Sequence, residues 1–104
     1  MPQDVAAASG YEQLRPAWAF TATVNPANHT AVASVNTDVT VPAGSELLST
    51  DRIVAIPPAT LEAGICVQGC VYKDASTLTL RTTNPSAGAI DPASATWTFM
   101  VFRA

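Results

Sequence analysis

The chain has 104 residues, 12% of them charged and 48% hydrophobic, with a formal net charge of −3. That length fits one domain with one core, and the charged fraction is well below the usual ~25%. Five Lys and Arg against eight Asp and Glu, with no basic run, argue against nucleic-acid binding, and no apolar stretch approaches the ~18 residues of a membrane-crossing helix.

Residues 1–16 show no clear period. Ala6, Ala7 and Ala8 favour a short helix between Asp4 and Leu14, Gly10 breaks it, and Pro2 and Pro16 bracket the stretch. We read residues 1–16 as an N-terminal arm, disordered or docked on a neighbour, ahead of a domain over residues 17–104. Met1-Pro2-Gln3-Asp4 has no basic n-region, and Val5–Ala8 is shorter than the roughly 7–15 apolar residues of a secretory leader, so synthesis in a cytosol is expected.

From Ala17 the chain reads as β-structure. Trp18–Val24 is rich in aromatic and β-branched residues and stops at Asn25-Pro26. A second strand is expected over His29–Val35. Asn36–Val41 then alternates, with Thr37, Val39 and Val41 on one face and Asn36, Asp38 and Thr40 on the other; residues 30–41 form either one bent strand or two. Glu46–Asp51 is a turn of helix or a loop. Arg52–Ile56 is a strand stopped by Pro57-Pro58, which remove two backbone donors.

Ile65–Tyr72 and Thr77–Thr83 flank the turn Lys73-Asp74-Ala75-Ser76, with Leu78, Leu80 and Thr82 sharing a face. Asn84–Ser94 is a loop. Thr96–Arg103 sets Trp97, Phe99 and Val101 against Thr98, Met100 and Phe102, so both faces carry large apolar groups. Such a strand is central to a sandwich or covered by another chain. Six to eight short strands with frequent turn signals predict an all-β fold: a single β-sandwich or a small barrel. Trp97, Phe99 and Val101 are the expected core.

Chemistry is sparse. Cys66 and Cys70 are the only cysteines. On a regular strand they share a face about 13 Å apart, too far for a disulfide that needs Cα atoms within about 7 Å, so two small buried or half-buried thiols are expected. Zinc would need two further ligands, and the only histidine, His29, is distant and follows the turn Asn25–Asn28, where a solvated ring is expected. No nucleophile–base–orienter set, paired carboxylates or Gly-rich phosphate loop stands out. No enzyme activity, metal or cofactor is expected.

The C-terminal part carries a resemblance. Val54-Ala55-Ile56-Pro57-Pro58 is followed by the strand opened at Gly64, then by Thr77-x-Thr79-x-Arg81-x-x-Asn84 and by Ala89-x-Asp91-Pro92-Ala93-Ser94-x-Thr96-Trp97-x-Phe99. In order and spacing, residues 35–104 resemble the small β domains of virion structural proteins of tailed bacteriophages, of the capsid decoration (cement) or head-fibre type. Cys70 departs from that pattern, where a small apolar residue is expected, and leaves a bridge between subunits open.

The resemblance implies a jelly-roll-like sandwich, no catalytic residues, and a homo-oligomer, expected as a trimer. Its partner would be the major capsid protein, on the outer surface of a virion assembled from a chain made in host cytoplasm. The expected contacts are Val5, Tyr11 and Leu14 on the arm and Trp18 and Phe20 on the first strand. The rival readings are a head-fibre, tail-spike or receptor-binding module and a carbohydrate-binding β-sandwich that uses Trp18 or Trp97.

Overall fold

The computed structural model describes residues 15–103, and all regular structure in it is β. Six strands follow in order: β1 (Arg15–Val24), β2 (Ala33–Thr40), β3 (Arg52–Ile56), β4 (Cys66–Asp74), β5 (Thr77–Asn84) and β6 (Ala95–Arg103). They form two three-stranded antiparallel sheets, ordered β1-β6-β3 and β2-β5-β4. One hydrophobic cluster joins them. Val24, Trp97, Phe99 and Val101 come from the first sheet, Val39, Leu78 and Leu80 from the second, and Leu47 from the β2–β3 connection. Each large side chain taken out of water there contributes about 1.5–3 kcal/mol.

The expected core triad on the last strand is fully buried, and Leu78, Leu80 and Thr82 share the inward face of β5. β6 is the centre of its sheet, flanked by β1 and β3. The turn at Ala75-Ser76 is held by Asp74, whose Oδ1 accepts from the Ser76 amide at 2.9 Å and the Ser76 hydroxyl at 3.0 Å. That is the Asx geometry expected of Asp at this position.

Several local expectations are revised. β1 starts at Arg15, two residues before Ala17, because Arg15 and Pro16 pair with Arg103 and Phe102. β2 is a single strand from Ala33. The stretch before it is not a strand: His29 makes an isolated bridge to Ile90, and Ala31-Val32 is a turn with Val32 at φ 53°. Of the two alternatives for Glu46–Asp51, the loop is the one found. Cys66 and Cys70 do not share a face. A register shift between Val67 and Gly69, with Gly69 at φ 148°, inserts Gln68 as an extra residue. Cys66 therefore stays exposed, while Cys70 turns inward against the core.

The two sheets close unevenly. β3 packs over β4, whereas β1 and β2 barely meet. The core is thus covered on one flank and open along the other, where β1 is an edge strand.

Candidate interaction surface

The outer faces of the two sheets differ in chemistry. On the β2-β5-β4 sheet, side chains bond across the strands. Ser34 and Thr83 hydroxyls lie 3.1 Å apart, and Thr83 Oγ1 donates to Gln68 Oε1 at 2.9 Å. Thr79 Oγ1 donates to Asp38 Oδ1 at 3.1 Å, and the Lys73 ammonium donates to Asp38 Oδ2. Hydrogen bonding to Lys73 and then Thr79 holds the Asp38 carboxyl below its ordinary range, and the same contact raises Lys73. This face is mostly polar, with Val71, opposite Thr79 and 38% exposed, as an apolar exception.

The outer face of the β1-β6-β3 sheet is apolar toward Phe102 and lined by threonine toward its other end, where Thr21 pairs with Thr98 and Thr23 with Thr96. The antiparallel registers align Ala19 with Met100 and Val54, and Thr21 with Thr98 and Ile56. The next row sets Pro16 beside Phe102 and Arg52. Val54 is 47% and Ile56 43% exposed, while Met100 and Phe102 remain half-buried. Arg52, on the rim, is the charged residue of these rows. An apolar sheet face open to water is the ordinary signature of a surface that another chain covers. The pattern of Thr96–Arg103 signalled half of this face. Val54 and Ile56 went unnoticed because a five-residue strand does not reveal which side its neighbours leave open.

The residues expected at an interface fall into two groups. Val5, Tyr11 and Leu14 lie outside the described residues. Trp18 and Phe20 are on the inward face of β1 and continue the core as a ladder of rings. Ring centroids are 5.5 Å apart for Trp18–Phe20, 5.3 Å for Phe20–Phe99 and 6.5 Å for Trp97–Phe99. The two outer rings stay half-buried because they lie at the open β1–β2 flank.

Two polar centres sit near the ends of the sheets. Asp51, with its side chain 0% exposed, accepts from Arg103 Nε at 2.8 Å, Arg103 Nη2 at 2.7 Å and the Leu48 amide at 2.8 Å. The Arg103 hydrogen bonds, and then the Leu48 amide, hold its carboxyl low against burial. Arg103 also donates to the Glu46 carbonyl, so this bidentate pair ties the C-terminal strand to the β2–β3 loop.

His29 is not solvated. It is 0% exposed, with Nε2 2.6 Å from Thr82 Oγ1 and Nδ1 without a partner. Beside it, buried Asn84 donates through Nδ2 to the carbonyls of His29, Thr30 and Gly88. Its Oδ1 accepts from the Ser86 amide and hydroxyl.

A cleft of about 260 Å³ is lined by Pro26, Pro58, Leu61, Glu62, Pro92 and Trp97, among others. Its carboxylate is engaged, since Glu62 Oε2 accepts from the Ala93 amide at 3.0 Å. Trp97 is 1% exposed and presents no open ring face to a sugar. Among the described residues no three or more of His, Cys, Asp and Glu gather as a metal site. No helix among them is long and apolar enough to cross a membrane. No family model matches the chain, and no curated protein or solved structure matches it either.

Proposed function

We propose that this chain is a structural protein of a virion, a capsid decoration protein that binds the outer shell surface and stabilises the joints between capsomers. The observation that carries the reading is the unequal chemistry of the two outer faces. One is a polar ladder suited to water. The other presents Val54, Ile56, Met100 and Phe102 in adjacent rows. The resemblance of residues 35–104 to small virion β domains supplies the context.

In this reading the apolar face packs against further copies of the chain in a homotrimer. Burial there yields about 25 cal/mol per Å² of apolar area. The arm and the open β1 flank, with Val5, Tyr11, Leu14, Trp18 and Phe20, meet the major capsid protein. The jelly-roll-like topology belongs to the same proposal. Many modest contacts, repeated by the symmetry of a shell, hold such a subunit by avidity without one strong interface.

The test is copy number per particle, by quantitative mass spectrometry of purified virions. Hundreds of copies, comparable to the shell protein, are expected. About a dozen or fewer would move the protein to a fibre, spike or tail. Absence from particles would overturn the virion reading and favour a glycan-binding screen.

A further inference from the structure

We infer that the cleft at the Trp97 end of the β1-β6-β3 sheet is a docking site for a basic side chain of a partner protein. The ends of three strands converge there. β1 stops at Val24, which pairs with Ala95, β3 stops at Ile56, which pairs with Thr98, and β6 begins at Ala95. Pro26 follows β1, Pro58, Leu61 and Glu62 follow β3, and Pro92 precedes β6, so each strand end contributes a wall. The cleft is separate from the Phe102 end of the apolar face, and its occupant is independent of the assembly proposed above.

The walls are apolar and held in place. Pro26 and Pro92 are buried, and Pro58 and Leu61 are half-buried. The Leu61 amide donates to the Pro58 carbonyl at 3.0 Å and the Ile65 amide to the Glu62 carbonyl at 3.2 Å, which fixes the connection after β3. A proline has a locked φ and almost no side-chain freedom to lose, so such walls cost little entropy when something binds. The space, about 260 Å³, suits the unbranched methylene stem of lysine or arginine, which packs along apolar surface and carries its charge at the tip.

Charge selects the occupant. Glu62 is half-buried and is the charged residue among those lining the cleft. Its Oε2 accepts from the Ala93 amide at 3.0 Å, which ties the connection after β3 to the loop before β6 and fixes the carboxylate between them. The connections 25–32, 57–65 and 85–94 hold Glu62 and Asp91 but no lysine or arginine. Arg15, Arg52 and Arg103 stand at the opposite end of the sheet, where Arg15 pairs with Arg103 and Arg52 with Phe102. The cleft end is therefore acidic, on a chain of net charge −3. A cation entering it meets a pre-positioned carboxylate beside walls that exclude water, which strengthens a charge-assisted hydrogen bond.

An amide-shift titration of the full chain by NMR at low salt tests the site. The probes are N-acetyl-lysine amide and N-acetyl-norleucine amide, which has the same stem without the ammonium. Saturable shifts at Glu62, Ala93 and Ser94 are expected for the lysine probe, with a Kd of about 1–10 mM. Binding is expected to be ~10-fold weaker or more for the norleucine probe, and for the lysine probe on Glu62→Gln, which keeps an acceptor for Ala93 and removes the charge. Equal binding of the two probes would make the cleft a plain apolar hollow and overturn the inference. Lysine shifts unchanged in E62Q, or spread over Asp38 and Asp74, would be general attraction to an acidic chain and would overturn it too, as would the absence of saturable shifts. Should E62Q not fold, the two probes on the unaltered protein decide.

Discussion

Asn84 shows how much of this fold rests on single polar side chains. It ends β5 fully buried and joins the turn before β2 to the loop after β5 through both ends of its amide. Asn84→Ala removes the part-buried partner of the Thr30 carbonyl and the Ser86 amide, and is expected to cost about 1–3 kcal/mol in urea unfolding. Asn84→Asp is expected to cost more, because it turns a carboxylate oxygen toward the carbonyls that Nδ2 now serves.

Asp51 makes a second prediction at this scale. Its carboxyl is held low in the folded protein and lies near 3.9 in the unfolded chain, so its stabilisation is present above about pH 4 and lost as pH falls further. In thermal melts Asp51→Asn is expected to cost about 1–3 kcal/mol at pH 7 and to flatten the loss of stability below pH 4. Asp51 was not visible as special in the sequence, and Asn84 stood out only as the last residue of the Thr77–Asn84 motif, not as a buried anchor. Their partners stand 52 to 55 positions away for Arg103 and His29, and a lone Asn or Asp near a turn reads as local turn chemistry. His29 was misjudged for the same reason: the turn before it is real, but the loop that covers it comes from the far side of β5.

Strands and turns were more legible, because the signals that make them are local. Pro57-Pro58 ends β3 by removing donors, Asp74 closes the β4–β5 turn, and the alternation of Thr37 and Val39 marks the inward side of β2. The bulge at Gln68 broke the pattern. Strict alternation puts Cys66 and Cys70 on one face, and one inserted residue puts them on opposite faces.

Gly69, at φ 148°, is what lets the strand take that extra residue, and a Cβ there would meet nothing within 4 Å. Gly69→Ala is therefore expected to destabilise through its backbone conformation alone, by about 1–3 kcal/mol on chemical denaturation. The two thiols report the same geometry. Burial pushes the Cys70 thiol up to about 12, whereas Cys66 is exposed. Iodoacetamide at pH 8 is expected to label one thiol, Cys66, in the native protein and both after unfolding; equal native labelling would place Cys70 outside the core.

At the scale of the molecule, the faces of the two sheets make separable predictions. Met100→Glu puts a charge in the central row of the apolar face, between Ala19 and Val54. It is expected to convert the proposed homotrimer to monomer in size exclusion with light scattering, with little loss of fold stability, since the side chain points away from the core. Asn36→Glu, on the exposed polar face of β2, is the matched control and is expected to leave assembly unchanged, with stability within about 0.5 kcal/mol. Assembly that survives Met100→Glu would remove the apolar face from the interface.

Local chemistry in the sequence was enough for the all-β structure of the described residues, most strand positions, the burial of Trp97, Phe99 and Val101, and the shared face of Leu78 and Leu80. Periodicity of two and the turn chemistry of Pro, Asn and Asp are properties of neighbouring residues. The tertiary structure alone decided which strands share a sheet, which outer face is apolar, and which polar groups are buried. Those outcomes depend on strands and loops far apart in the chain: β6 lies between β1 and β3, β5 lies between β2 and β4, and the loop after β5 folds over His29. A histidine is solvated or sealed, and an apolar strand face is core or contact surface, according to what packs on it, and no pattern within one strand records that.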